Sequence, residues 1–246
     1  MASATLDVDL PDGRCDCYVA YPDEGGPFPA VLFFMDGFGV RPVLHRMAER
    51  IATWGLYVLQ PNLLYRQGRA PLFEVAHMLK PENRPVLTQL VRSVTPELVI
   101  RDADKLLEFL RAQPQVDPDS PMGLVGYCMG GSLAVRTAAL FPRRIGAAAS
   151  FHAGRLVTDD PTSPHRLLGQ ITAALYFGHA DQDQGMPLAA IEQLEAALQE
   201  AGTRYQSELY DGARHGFTMP DLPAYDEAAC EQHWDRLWSL FERTLL

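Results

Sequence analysis

The chain has 246 residues, 47% of them hydrophobic, enough to bury a sizeable core without covalent staples. Its formal charge of −10 argues against a nucleic-acid binder, which needs a basic face for the phosphates, and otherwise describes an acidic, solvated surface. No run approaches the roughly 18 apolar residues of a membrane span. The first residues carry neither a basic start nor an apolar stretch, and the four cysteines form no disulfide framework, so a cytoplasmic location is expected.

Taken in chain order, short apolar runs alternate with amphipathic stretches, the pattern of a mostly parallel sheet covered by helices on both faces. Cys15 and Cys17 are expected on one face of an N-terminal strand. Residues 30–35 read as a buried strand and 42–53 as a helix with Pro42 in its first turn. Residues 56–60 form the next strand, closed by Pro61. The segment 62–95 carries Pro71, Pro81 and Pro85 and breaks the rhythm. It is expected to be either a lid or substrate wall, or a surface excursion with one short helix over 72–79. Residues 96–112 repeat apolar side chains at helical spacing. A strand at 123–126 then runs into a helix at 130–140, followed by strands at 147–151 and 174–178 around a turn-rich stretch, 154–170. A helix over 187–201 stopped by Gly202, a strand over 205–210 and a closing helix over 224–245 complete one expected α/β domain, residues 1–246.

The densest chemical signal is Gly126-Tyr-Cys-Met-Gly-Gly131, after a strand and before a helix. This is the context of a nucleophile elbow, whose strained central residue needs glycine around it. Cys128 would be lifted above the sheet as a nucleophile, and the N–H of Met129 aimed at the reacting carbonyl. A thiol there gains thiolate character from the helix N-terminus and from a neighbouring imidazolium. Without its glycines, Cys128 would read as one more small buried hydrophobe. Two later segments supply partners in the order nucleophile, acid, histidine. His215 lies among glycines after a strand, placed to exchange a proton with the thiol and the leaving alkoxide. Asp181 and Asp183 both follow a strand, and spacing alone leaves either as the acid that orients the histidine. His152, after another strand, is expected to line the pocket or cap it. Asp36, before Gly37-Phe-Gly39, stands where an oxyanion-hole loop is expected. The histidines complete no metal set with Cys15 and Cys17.

These residues resemble the dienelactone hydrolases (carboxymethylenebutenolidases). The resemblance runs from about Ala30 to Phe217 and rests on Asp36-Gly-Phe-Gly-Val40, Pro61-Asn-Leu-Leu-Tyr65, the Cys128 elbow, Asp183 with Pro187 four residues on, and Gly212-Ala-Arg-His-Gly-Phe217. It implies a single-domain α/β-hydrolase that opens small esters or lactones through a Cys128–His215–Asp183 triad and an acyl-enzyme, without metal or cofactor. It settles the acid on Asp183 and adds Gly37 to Met129 in the oxyanion hole. Asp36 would modulate the thiol, and Arg84, Tyr127, His152 and Phe217 would contact substrate. Two positions depart from the family pattern. Asp36 replaces a glutamate one methylene longer, and Met219 replaces an arginine that holds the substrate carboxylate, so a broader esterase or lactonase fits as well as an anion-specific enzyme.

Glutamine amidotransferases share the cysteine elbow, but usually carry glutamate two residues after the histidine, where this chain has Phe217. A non-catalytic binding module would be expected to lack a triad member. An acyl transferase would use the same acyl-enzyme with an acceptor other than water. The sequence does not determine oligomeric state.

Overall fold

The alternation of apolar and amphipathic runs gives eight strands and seven α-helices across residues 1–246 of the computed structural model. They fall into two units, Met1–Ser120 and Pro121–Leu246.

In the first unit, β1 (Ala2–Leu10) and β2 (Gly13–Tyr21) form an antiparallel hairpin. β2 pairs antiparallel with β4 (Tyr57–Pro61), which pairs parallel with β3 (Ala30–Phe34). β3 and β4 are buried at every residue, as continuous apolar strands with both faces covered must be. Helix α1 (Pro42–Ala52) packs on β2 and β4, and α4 (Pro96–Arg111) on β1 and β3. Cys15 and Cys17 share one face of β2, fully buried, with their sulfurs 3.6 Å apart.

The excursion after β4 has a pinned start and an open end. Asn62 donates to Asp16 and to the Gly68 carbonyl, while Arg66 grips the buried Asp102 of α4 with two hydrogen bonds of 2.8 and 2.9 Å. Beyond it the chain forms two helices rather than one: α2 (Val75–Met78), shorter than expected, and α3 (Arg84–Ser93). Pro85 does not break α3, because a proline in the first turn has no intrahelical N–H to lose. No residue of α3 is fully buried. Its Val91 nonetheless reaches the turn after β3, where a Cβ on Gly37 would come within 2.7 Å of Val91 Cγ2.

In the second unit, β5 (Met122–Tyr127), β6 (Ile145–Phe151), β7 (Ala174–Gln182) and β8 (Tyr205–Arg214) run parallel in that order. Helix α5 (Met129–Leu140) packs on β5 and β6, and α7 (Glu227–Thr244) on β6 and β7. Adjacent strand residues point to opposite faces. Gly131 of α5 sits over Ser150, whereas His233 of α7 stacks edge-on to Phe151, so the two helices cover opposite faces of β6. Helix α6 (Leu188–Ala201) ends at Gly202, whose φ of 64° is the left-handed stop expected there. Helix α7 starts three residues later than expected, because Asp226 caps it by accepting the Ala229 N–H.

β7 and β8 both run four residues past their expected ends. Their extensions pair with each other, Ala180 beside Tyr210 and Gln182 beside Arg214. The polar composition of these extensions hid them, since the apolar signal stops at Gly178 and Tyr210. Each strand therefore stops immediately before a residue with chemistry: Asp183 follows β7, and His215 follows β8.

Candidate active site

The elbow forms where β5 meets α5. Cys128 has φ 54° and ψ −119°, a backbone state that side chains rarely occupy and that costs of order 1–3 kcal/mol. The surroundings enforce it. Cys128 N–H donates to the Phe151 carbonyl at 3.1 Å, continuing the β5–β6 ladder into the turn. A Cβ on Gly126 would lie 2.0 Å from the Gly130 carbonyl oxygen, and one on Gly131 would lie 2.6 Å from both Ala153 Cβ and Ser150 Oγ. The glycines thus let α5 start directly against the strand. Half-buried Cys128 stands at its N-terminus, and the Met129 N–H, in the first turn, has no intrahelical acceptor.

Past the ends of β7 and β8, Asp183 and His215 meet. Asp183 is buried. Its Oδ1 accepts the Gly185 N–H at 2.8 Å and its Oδ2 accepts from His215 Nδ1 at 2.6 Å. Asp181, the other candidate, is exposed and accepts the Gly212 N–H at 3.1 Å, tying the two strand extensions together. Burial works against the charged form of His215. Hydrogen bonds to Asp183 and to Cys128, with favourable electrostatic interaction with both, outweigh it and raise the imidazole to about 10. Cys128, His215 and Asp183 are therefore brought into one hydrogen-bonded group.

Several expected contacts fall elsewhere. Tyr127 is fully buried, its hydroxyl 3.0 Å from His233 Nε2 of α7, so it supports the elbow from beneath and presents no surface to a ligand. Phe217 is also fully buried, stacked on Tyr210 with centroids 4.7 Å apart. Tyr127 faces inward from β5, and Phe217 turns inward from the loop after β8. His152 is buried as well. It lies in the left-handed region (φ 38°), its Nε2 is 2.8 Å from Thr218 Oγ1, and its ring stands edge-on to His215. The sequence reading missed Thr218 and His233; Thr218 lies three residues beyond His215 on the same loop, which was the available signal.

In the first unit, Asp36 is buried and paired. Its Oδ1 accepts from Arg41 Nη1 at 2.7 Å and from the Phe38 N–H at 2.9 Å, and its Oδ2 accepts from Arg41 Nη2 at 2.9 Å. Gly37 lies in the same turn. Arg84 opens α3 and borders an exposed groove with Pro81, Pro85, Thr88, Gln89 and Arg92. Met219, where an arginine would be needed to hold a substrate carboxylate, is fully buried. No cluster of His, Cys, Asp and Glu has metal-ligand geometry.

Comparison with known proteins decides the class, because the dienelactone hydrolase family matches residues 15–245. The chain belongs to the dienelactone hydrolase family. Its fold class is accordingly the α/β-hydrolase fold, and the protein is an ester- or lactone-cleaving hydrolase. A carboxymethylenebutenolidase of Rhodococcus opacus is 27% identical over 233 residues, covering 93% of this chain and 86% of the relative. Among solved structures, a dienelactone hydrolase-like promiscuous phosphotriesterase from metagenomic libraries superposes with TM-score 0.82 at 24% identity, over 100% of both chains. A dienelactone hydrolase from Anabaena variabilis superposes with TM-score 0.71 at 18% identity, over 100% of this chain and 99% of the other. Both likenesses concern the fold. No helix of this dienelactone hydrolase family member is long and apolar enough to cross a membrane.

Proposed function

We propose that the protein hydrolyses small esters or lactones through a covalent thioester on Cys128, with His215 and Asp183 completing the triad. The observation that carries this reading is the 2.6 Å bond from His215 Nδ1 to Asp183 beside a cysteine held at φ 54° on a helix N-terminus.

The mechanism starts from a thiolate–imidazolium pair. The Cys128 thiolate adds to the substrate carbonyl, and the oxyanion that forms accepts the Met129 N–H, preorganised by the elbow. As the tetrahedral intermediate collapses, the C–O bond to the leaving alkoxide breaks and protonated His215 gives that oxygen its proton. Neutral His215 then takes a proton from water, the resulting hydroxide attacks the thioester, and the carboxylic acid product leaves with Cys128 restored as thiolate. Asp183 keeps the proton on Nδ1 and stabilises the imidazolium throughout. No step needs a metal or cofactor.

Asp36 spends both carboxylate oxygens on Arg41 and Phe38, which removes support for a thiol-modulating role. With Met219 buried, one half of the charge clamp that the family resemblance implies for an anionic substrate is missing. Losing one charged hydrogen bond weakens anion preference by about 1.5–3 kcal/mol. Neutral esters and lactones are therefore the preferred class.

The test is hydrolysis of p-nitrophenyl acetate, p-nitrophenyl butyrate and cis-dienelactone by wild type and Cys128→Ala. The expected result is turnover of the neutral esters at least comparable with the dienelactone, and loss of all of it in the variant. Undiminished turnover by folded Cys128→Ala would overturn the mechanism, and exclusive use of the dienelactone would overturn the assigned specificity.

A further inference from the structure

His215 is hydrogen-bonded to Asp183 at Nδ1 and also to Cys128, and bonds at the ring nitrogens leave the faces of an imidazole to be held by packing. The His215 side chain is 38% exposed, so one side of the ring is unpacked. On its buried side stands His152, with ring centroids 5.3 Å apart and planes at 65°.

His152 is itself immobile. Its backbone N–H donates to the Gly178 carbonyl at 2.7 Å, its Nε2 meets Thr218 Oγ1 at 2.8 Å, and its ring packs edge-on to Phe217 at 5.3 Å. The Thr218 hydroxyl, also buried, serves best as the donor in this bond. That arrangement leaves one polar hydrogen unpaired, on His152 Nδ1, whereas the reverse would leave both a hydroxyl hydrogen and a ring lone pair unpaired. His152 thus combines a left-handed backbone with a buried nitrogen that has no partner. Stability alone would select a glycine or asparagine for the first and an apolar side chain for the second. Costs of this kind persist where the surroundings over-determine a residue for function.

Resting on the triad reading above, we propose that His152 is a positioning residue: its Thr218-anchored ring braces His215 edge to face and keeps His215 aimed at Cys128. Its unpaired nitrogen has no surface exposure, so His152 acts through His215 and not on substrate. Burial, with the charges of His215 and His233, holds the His152 ring well below the ordinary histidine range. The brace therefore stays neutral beside an imidazolium and adds no repelling charge.

The experiment compares wild type, His152→Asn, His152→Phe and Thr218→Val in kcat and KM for p-nitrophenyl acetate. It also compares the rate at which iodoacetamide alkylates Cys128, with Cys128→Ala as control, and thermal midpoints. Asparagine tolerates the backbone but removes the ring, so His152→Asn should lose about ten- to a hundredfold in kcat, the scale of small misplacements of catalytic groups. Alkylation should slow in parallel while KM stays the same. Thr218→Val should show a smaller loss of the same kind. His152→Phe retains a ring and should recover most of the activity; if it does not fold, the other two variants decide. A raised KM with unchanged kcat and alkylation would make His152 a substrate contact and overturn the proposal. A lowered midpoint with unchanged kinetics would make it core packing and overturn it equally. Turnover persisting in Cys128→Ala would instead overturn the triad reading, a separate failure.

Discussion

His215 holds opposing influences within one ring. Burial disfavours its charge, while two partners, Asp183 and Cys128, favour it, and the partners prevail. A raised pKa links stability to the charged form. The contribution of His215 is full below its ordinary value of 6.5 and is lost as pH rises through about 10. NMR of the ring nitrogens should find the imidazole still protonated well above neutral pH. Asp183→Asn and Cys128→Ala should each bring its titration down toward the ordinary value. Asp181→Asn should leave it in place, because that carboxylate is occupied with the Gly212 N–H. A shift in Asp181→Asn as large as in Asp183→Asn would reverse the acid assignment. Spacing alone does not separate Asp181 from Asp183, since both follow the same apolar run. The family pattern chose Asp183, and the burial of its carboxylate beside His215 supplies the physical reason.

At the scale of elements, strand ends and glycines set the geometry. Gly126 and Gly202 are both glycines beside a helix, but they answer to different physics. A Cβ on Gly126 meets backbone at 2.0 Å, whereas one on Gly202 meets nothing within 4 Å and suffers only from φ 64°. Chemical denaturation should find Gly126→Ala destabilised by about 3 kcal/mol or more, as backbone overpacking implies. Gly202→Ala should lose about 1 kcal/mol, the cost of a left-handed side chain. Equal losses would mean that the elbow is not packed as described. These elements were legible in the sequence because apolar period and glycine placement coincide there. The ends of β7 and β8 were not, because a polar strand extension has no apolar alternation to display. Helix α3 was hidden for a related reason: Pro85 looks like a breaker until the helix is known to start at Arg84. Tyr127 and Phe217, expected to contact substrate, are buried, because nearness in sequence to a catalytic loop does not reveal which way a side chain faces; His152, expected to line the pocket or cap it, packs beside His215.

At the scale of the whole molecule, the net charge of −10 and the buried Met219 bear on the same question. Under the proposed specificity for neutral esters and lactones, an acidic surface gives an anionic substrate no long-range attraction. Family membership fixes hydrolysis of esters or lactones as the activity, and the nucleophile proposed to carry it is Cys128. Intact-protein mass spectrometry of the enzyme quenched during turnover of p-nitrophenyl acetate tests that assignment. Wild-type protein should show a population heavier by one acetyl group, located by peptide mapping on Cys128 and absent from Cys128→Ala. An acetyl group on another residue that persists, with turnover, in Cys128→Ala would contradict the assignment.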